Sequence, residues 1–240
     1  MLQISGRPSW RVVEGGSAAY VKAMSARWHV DTRLNTPVSS VRRDAEGVEV
    51  HNANGSDRFD QVVMACHSDQ ALRLLADADH REHEILGAMP YQANDVVLHT
   101  DASLLPRNRN AWAAWNAHVP TNPSDACTVS YCMNLLQGID APQALVVTLN
   151  RTDAIDPAKV LRRMNYQHPV YTHASVAAQS RKTEIQGQRN TWFAGAYWGW
   201  GFHEDGMRSA VDVARGLGVT WEPKVASSQF PLHEADLVPA

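Results

Sequence analysis

The run TWFAGAYWGWGFHEDGMRSAVDVARGLG (residues 191–218) constrains the fold of this chain more than any other segment. Its apolar start predicts a buried strand, and an amphipathic helical pattern follows from about Met207. A strand that ends on Gly195 lets another group approach the backbone closely, because glycine has no side chain. The helix directs its free N–H groups towards whatever occupies the turn. The run therefore predicts a strand, turn and helix at the rim of a site for an electron-rich ligand.

The acidic and aromatic side chains of this run have plainer interpretations. Asp205 is a candidate N-cap and Glu204 a surface residue matched to the helix dipole, so the backbone is the better candidate for ligand binding. Trp198 and Trp200 alternate with glycines. Rings in such a pattern can stack on sugars, although aromatic residues more often pack in cores. A sugar platform stays as an alternative that requires both rings to be exposed and coplanar.

Composition excludes several classes of function. The 240 residues carry a net charge of -3, and the 22 basic residues are spread along the chain, which argues against nucleic-acid binding. The sequence lacks an apolar run of the roughly 20 residues that a transmembrane helix needs, while peripheral membrane contact stays open. The opening MLQISGRPSW is too short and too polar for a secretory signal, so the expected compartment is the cytoplasm. Three cysteines at irregular spacings predict reduced thiols.

Residues 1–89 alternate between helical and β-like patterns. Gly15-Gly16 marks either a close approach to a ligand or only a loop, and a helix capped by Ser17 follows it, with an apolar face that predicts docking. Three β-like runs form a meander in which Asn54-Gly55 is a strong hairpin signal. The run at residues 62–65 lacks alternation, which predicts a strand buried on both faces. Further helices are expected from a cap at Ser68 and around residues 85–86.

The sequence pattern changes after about residue 90, where successive β-like runs replace the alternation of helical and β-like segments. The runs DVVLHTD, AWAAWNAHV, CTVSYCMN and ALVVTLN predict strands of an antiparallel or mixed sheet, which we interpret as an inserted second domain. Asp156-Pro157 is typical of a helix start, and Val160, Leu161 and Met164 have the spacing of its buried face. The expected organisation is residues 1–89 in a first domain, 90–180 in the inserted domain, 181–220 back in the first, and 221–240 as an irregular tail.

Motifs for metal binding or nucleophilic catalysis are weak. His80 and His83 in HREHE have helical spacing, but without further ligands nearby they fit a solvated helix face better than a metal site. The nucleophile elbow GxSxG, the zinc motif HExxH and the complete dinucleotide fingerprint GxGxxG do not occur in the chain. The sequence therefore predicts no metal and names no catalytic residue.

Five motifs together resemble a known family: WRVVEGGSAAYV, YQANDVVLHTD, AWAAWN, HPVY and WFAGAYWGWGFHEDG. They are similar to the C-terminal part of an FAD-dependent oxidoreductase of the flavin-containing amine oxidase superfamily. Within it they resemble the bacterial branch described as predicted NAD/FAD-binding proteins, which is related to the flavoprotein segment fused to plant cyclopropane fatty acid synthases. The last motif is fairly specific, and the others support it.

The resemblance implies an α/β fold in which a partial Rossmann-like domain that binds FAD is interrupted by a mixed or antiparallel β-sheet substrate domain. It implies adenine-side contacts at Val38, Ala65 and Cys66. Gly195 and Ala196 match the position next to the pyrophosphate and ribityl chain. The turn His203, Glu204, Asp205, Gly206 and Met207 matches a helix N-terminus that faces the flavin pyrimidine edge, where it would stabilise reduced flavin.

Two departures from the family limit what the resemblance implies. The N-terminal βαβ unit with its dinucleotide fingerprint is missing, so we expect a fragment that binds FAD weakly or not at all alone. Amine oxidases of the family use a lysine near the flavin, but no lysine occurs between Lys22 and Lys159, and His203 takes the place of one wall of their aromatic cage. The expectation is an FAD-dependent oxidoreductase acting on an apolar, lipid-like substrate. The alternative is a cofactor-free fragment or aromatic-rich binding module without catalysis.

Overall fold

The computed structural model of the protein describes residues 12–119 and 128–220. The chain divides into two compact units, one formed by Met1–Asn35 with Tyr91–Val170 and the other by Thr36–Pro90 with Tyr171–Ala240. The helices are α1 (Ser17–Ser25), α2 (Ser68–Leu74), α3 (His80–Gly87), α4 (Met133–Gln137), α5 (His173–Ser180) and α6 (His203–Gly216). The strands are β1 (Val38–Asp44), β2 (Gly47–Asn52), β3 (Gly55–Phe59), β4 (Val62–Met64), β5 (Tyr91–His99), β6 (Trp115–His118), β7 (Thr128–Cys132), β8 (Val146–Leu149), β9 (Val160–Pro169) and β10 (Thr191–Phe193). This is the mixed α/β class that the sequence predicts.

The meander β1-β2-β3 forms an antiparallel sheet in the second unit. Asn52 lies opposite Gly55, which confirms the hairpin predicted at Asn54-Gly55. Gly47 has a φ of 143°, and a Cβ atom there would lie 2.5 Å from the carbonyl oxygen of Phe59. The β1-β2 turn therefore requires glycine.

Strands β4 and β10 form a parallel pair in the same unit. Met64 and Phe193 are buried as predicted, but Val63 is 43% exposed, so the expectation of a strand buried on both faces is wrong. Helices α2 and α3 pack against each other, and α2 also contacts β1. Ser68 was the expected cap of α2, but His67 occupies the N-cap position and Ser68 is its buried first residue.

The first unit contains a five-stranded antiparallel sheet with the order β6-β7-β8-β5-β9. Its first four strands in the chain are the β-like runs predicted after residue 90. The predicted helix at Asp156-Pro157 is wrong. Pro157–Lys159 forms only a 3₁₀ turn, in which Asp156 accepts a hydrogen bond from the N–H of Ala158, and β9 follows at once. Pairing of β9 along the whole of β5 outweighs the helical spacing of its apolar residues.

Helix α1 departs from the prediction in two ways. Its N-cap is Gly16 rather than Ser17, without a side-chain hydrogen bond, and Gly15 and Gly16 form a loop with positive φ. The helix lacks buried residues among those described, and Trp28 just after it is 51% exposed. The expected docking of its apolar face is therefore not found in the described part.

Cys127 and the predicted tail from residue 221 lie outside the described residues. A search of the described helices found none long and apolar enough to cross a membrane.

Candidate functional site

The carboxyl ends of β4 and β10 meet at one edge. Phe193 lies beside Met64, and the N–H of Ala194 donates to the carbonyl oxygen of Met64 at 3.0 Å. Because parallel strands end on the same side of a sheet, the residues that follow each strand become neighbours. The structure thus brings Ala65 and Cys66 to the same edge as Gly195 and Ala196, four residues that the sequence resemblance placed in one site.

The backbone at Gly195 is occupied by the protein itself. Its N–H donates to Oγ of Ser209, a buried residue of α6, at 2.9 Å. A Cβ atom at Gly195 would lie 2.3 Å from the ring of Tyr197, so the close approach predicted here is made by that ring. These two contacts fix the strand end against α6. A cofactor contact at Gly195 stays a prediction, and the N–H of this residue is already paired.

The last helix begins earlier than predicted. It starts at His203, not at about Met207, and Phe202 is its N-cap residue. Asp205 is not the N-cap; its Oδ2 accepts hydrogen bonds from the N–H groups of Trp200 at 2.9 Å and Phe202 at 3.1 Å. Its Oδ1 accepts from Arg208 at 2.7 Å. The buried Asp205 carboxylate is therefore committed to closing the turn, which leaves it unsuited to act as an acid or base.

Three backbone donors of the turn and the start of α6 remain after the turn is closed. Among the described residues, the N–H groups of Ala196, His203 and Glu204 have no acceptor. Gly206 brings the first turn of α6 near Ala196, since a Cβ atom there would lie 3.9 Å from the nitrogen of Ala196. Unpaired amides at a helix N-terminus carry partial positive charge. We name Ala196, His203 and Glu204 the amide cluster; its chemistry suits an anionic or electron-rich group.

The other predicted site residues differ in their surroundings. Burial raises the pKa of the half-buried Cys66 thiol, so this thiol stays protonated and is a poor nucleophile. Val38 lies at the first position of β1 in the meander, where it pairs with Asn52 and is 40% exposed. Met207 is exposed in the first half of α6. The structure does not join Val38 to the amide cluster through any described hydrogen bond.

The two tryptophans of the turn differ in their surroundings. The indole N–H of Trp198 donates to the carbonyl oxygen of Phe193 at 3.1 Å, and its ring packs 5.0 Å from that of Tyr197. Trp200 is exposed, with its ring 5.3 Å from that of Tyr171 and tilted by 55°. Since Trp198 is only partly exposed, the sugar-binding alternative lacks the pair of exposed rings that it requires.

Sequence reasoning missed the residues that support the turn from other segments. Gln179 of α5 donates through its side-chain amide to the carbonyl oxygens of Tyr197 at 2.9 Å and Gly199 at 2.7 Å. Tyr171 lies close to Gly201, where a Cβ atom would be 2.7 Å from the tyrosine oxygen. Local sequence patterns carry no signal for such contacts, because the partners are distant in the chain.

The described residues do not contain a group of three or more His, Cys, Asp or Glu side chains that could hold a metal ion. His80 lies on the exposed side of α3 and pairs with Glu84 at 3.3 Å. Its role there is that of a solvated helix residue.

Comparison with protein families identifies the chain. Residues 2–157 match the family model described as flavin containing amine oxidoreductase. The chain belongs to this family. A search of curated proteins gave no match.

Solved structures share the fold of this flavin amine oxidoreductase chain at low sequence identity. One is a CLA-producing fatty acid isomerase from P. acnes, with 17% identity, a TM-score of 0.62, and coverage of 85% of this chain and 52% of that one. Another, described as a protoporphyrinogen oxidase from Exiguobacterium sp. 255-15, has 13% identity, a TM-score of 0.62, and coverage of 85% and 51%. A putrescine oxidase double mutant has 10% identity, a TM-score of 0.57, and coverage of 84% and 53%. The chain thus spans about half the length of the structures that it resembles.

Proposed function

We propose that this chain supplies part of the flavin site of an FAD-dependent oxidoreductase. The observation that carries the proposal is the amide cluster at the shared end of β4 and β10. Its three unpaired N–H groups suit the electron-rich pyrimidine edge of a flavin or the oxygens of its pyrophosphate. The Asp205 carboxylate is compatible with this fit. Its oxygens accept hydrogen bonds from the turn and pair with Arg208, which limits the repulsion between the carboxylate and an anionic group.

When bound, FAD would supply the transfer of hydride or electrons to or from the substrate. The residues of this chain would orient the flavin and stabilise negative charge on its edge. We assign that role to the backbone of Ala196, which follows Gly195. The turn formed by His203, Glu204, Asp205, Gly206 and Met207 shares it. Val38, Ala65 and Cys66 are proposed for the adenine side, on the family resemblance alone.

The proposed substrate is apolar and lipid-like rather than an amine. The amine oxidases of the family use a lysine near the flavin, and the stretch between Lys22 and Lys159 contains none. Lys159 itself is engaged, because its ammonium group lies 3.2 Å from Oδ1 of Asp101. A fatty acid isomerase among the structures with this fold supports a lipid as a substrate class.

We further propose that the flavin site is completed by another segment at the free edge of β4. The outer edge of β10 is closed, since the Gln186 side chain accepts from the N–H of Phe193 at 2.9 Å and donates to its carbonyl oxygen at 2.7 Å. In β4 the N–H and C=O of Val63 point away from β10, and among the described residues they have no partner. A parallel sheet is normally covered and extended by further strands. This edge is suited to the strand of a dinucleotide-binding βαβ unit.

A flavin titration tests the proposed site. We expect the purified protein to bind added FAD weakly, seen as a change in the absorption bands and fluorescence of the flavin relative to free FAD. His203→Pro removes one N–H of the amide cluster at the first helical position, where proline is tolerated, and Phe202 with φ -81° and ψ 157° suits a following proline. It should weaken FAD binding by about tenfold, the loss of one hydrogen bond. His203→Ala keeps the N–H and should bind FAD as the wild type does.

Two outcomes would favour the alternative. A protein that is purified colourless and leaves the absorption and fluorescence of added FAD unchanged points to a cofactor-free fragment or an aromatic-rich binding module. Equal binding by His203→Pro and His203→Ala, with helix content unchanged by circular dichroism, removes the amide cluster from the site. The genomic DNA before the Met1 codon gives a separate test of the fragment proposal, because an in-frame GxGxxG would supply the missing unit.

The remaining expectations stay predictions. These are a cytoplasmic location and the assignment of residues 1–89 and 181–220 to the FAD domain and 90–180 to the substrate domain.

A further inference from the structure

The five-stranded sheet carries a row of apolar side chains that ends on an arginine. Trp115 lies opposite Tyr131, Tyr131 opposite Val147, Val147 opposite Leu98, and Leu98 opposite Arg162. Directly paired residues of antiparallel strands project from the same face. These five side chains, here named the outer row, therefore cross the sheet from β6 to β9 on one face.

The outer row lies on the less covered face of the sheet. The residues that alternate with it, such as Ser130, Thr148 and Val97, are buried at 2%, 0% and 0% exposure. In contrast, Trp115 is 53% exposed, Arg162 is exposed, and Leu98 and Val147 are half-buried. The exposed side of this sheet is thus apolar, the reverse of the pattern expected for a sheet that faces water.

The next positions on the same face are also apolar, with Leu149 and Met164 half-buried on either side of the buried Val96. Leu149 pairs with Val96, and Val96 pairs with Met164. Together with the outer row they form a strip that crosses five strands. At about 4.8 Å between neighbouring strands, its length is about 19 Å, which suits a long hydrocarbon chain.

Arg162 is the cation at the end of this strip. Among the described residues, no carboxylate lies within salt-bridge distance of its guanidinium group, and no hydrogen bond occupies it. A guanidinium group matches a carboxylate in a two-pronged geometry. An apolar strip that ends on an available guanidinium group has the polarity of a fatty acid, with its hydrocarbon chain at one end and its carboxylate at the other.

We propose that the outer row binds a free long-chain fatty acid, with the hydrocarbon chain along Trp115, Tyr131, Val147 and Leu98 and the carboxylate on Arg162. This rests on the proposed function only for the expectation of an apolar substrate. The binding requires no flavin, because every residue of the outer row belongs to the five-stranded sheet.

Calorimetric titration of the full chain with oleate below its critical micelle concentration tests the proposal. Oleylamine and methyl oleate are the cationic and neutral controls. We expect oleate to bind most tightly, because only oleate carries the charge that complements Arg162. Arg162→Gln should weaken oleate binding by about fivefold, the effect of an exposed ion pair, and leave methyl oleate binding unchanged.

Arg163 provides a matched control. It is the next residue of the same strand, is also exposed, and pairs with Val97 on the opposite face. Arg163→Gln should leave oleate binding unchanged. Arg162→Glu should reverse the preference towards oleylamine, while Arg163→Glu should not, a reversal that a loss of folding cannot produce.

Three results would overturn the proposal. They are equal binding of oleate and oleylamine by the wild type, equal effects of Arg162→Gln and Arg163→Gln, or lack of oleate binding. Because FAD is absent from this experiment, a failure here is distinct from a failure of the flavin titration.

Discussion

Each compact unit buries a cluster of polar side chains, but one cluster is charged and the other is neutral. In the unit that contains β1, the guanidinium group of Arg43 is fully buried against Glu82 and Asp77. In the unit that contains the five-stranded sheet, the ring of His99 is fully buried beside the hydroxyl groups of Thr148 and Ser130. Buried charges require partners more strictly than buried neutral groups do. The two clusters should therefore respond differently to substitution and to pH.

The charged cluster joins three elements of its unit. Arg43 of β1 donates from Nη2 to Glu82 of α3 at 2.8 Å and from Nε to Asp77 at 3.0 Å. Its Nη1 lies 3.4 Å from Oγ1 of Thr191, the first residue of β10. Burial alone would lower the pKa of Arg43, but the two carboxylates outweigh it and raise that pKa, so the charge persists. The cluster thus anchors the strand that leads to the proposed flavin site.

The largest effect is expected from Glu82→Gln. This substitution removes the carboxylate charge closest to a fully buried guanidinium group, which should lower the free energy of unfolding by about 3 kcal/mol. Urea denaturation measures the loss. Glu84→Gln on the same helix is the matched control, because Glu84 pairs with Arg181 at the surface. Equal losses for the two variants would mean that the burial of Arg43 makes no difference.

The neutral cluster is a chain of hydrogen bonds across the sheet. The N–H of Asp101 donates to Nδ1 of His99 at 3.1 Å, which assigns Nδ1 as an acceptor and leaves the proton on Nε2. Nε2 then donates to Oγ1 of Thr148 at 2.8 Å, and Thr148 and Ser130 share a hydrogen bond of 2.8 Å. Thr148 is the central member, because it contacts both other side chains.

The next largest effect is expected from Thr148→Val, which keeps the shape of the side chain and deletes its hydroxyl group. His99 and Ser130 each lose a partner, so the free energy of unfolding should fall by about 2 kcal/mol. Val147→Thr is the matched exchange at the neighbouring position on the other face, where the half-buried hydroxyl group can reach water. It should cost clearly less. A greater loss for Val147→Thr would contradict the difference between the two faces of the sheet.

The parts of the fold that local sequence determines were predicted well. The hairpin at Asn54-Gly55 depends on its own turn residues, and the strand ending at Gly195 and the helix after it are encoded within one continuous run. Residues that depend on distant partners were not predicted. The segment from Val160 has helical spacing and a helix-start signal, but it becomes β9 because β5 offers it a complete ladder.

The site shows the same division. The glycines and the presence of a helix after them could be predicted from sequence, although the helix begins at His203 rather than at about Met207, and the resemblance brought Cys66 to the same edge. The roles within the turn could not be predicted, because Asp205 and Ser209 act on backbone groups several residues away. The burial of Arg43 was equally hidden, since an arginine in a strand gives no sign that carboxylates from another segment will surround it.

The smallest effect in this comparison is a pH dependence that belongs to the neutral cluster. Burial lowers the pKa of His99 below its usual value of about 6.5, and Asp101 offsets only part of that shift. Burial alone would raise the pKa of Asp101, but the N–H groups of Asp156 and Ser103 and the ammonium group of Lys159 hold it well below its usual range. The carboxylate of Asp101, beside the neutral cluster, therefore stays charged, and the protonation that changes stability within the cluster is that of His99.

The direction of this dependence follows from where the proton binds. As the pH falls through about 6.5, the unfolded chain takes up a proton at His99 while the folded protein resists it. The contribution of the buried, neutral His99 to the free energy of unfolding is thus complete above that pH. It declines below it by at most about 1.4 kcal/mol per pH unit, until His99 protonates in the folded state. Urea denaturation of the wild type and of His99→Gln from about pH 8 to about pH 5 measures it. The other titrating groups are common to both proteins. The free energy of unfolding of the wild type minus that of His99→Gln should therefore stay constant above about pH 6.5 and fall below it. A difference that stays constant over this range would mean that the buried ring accepts a proton as readily as an exposed one.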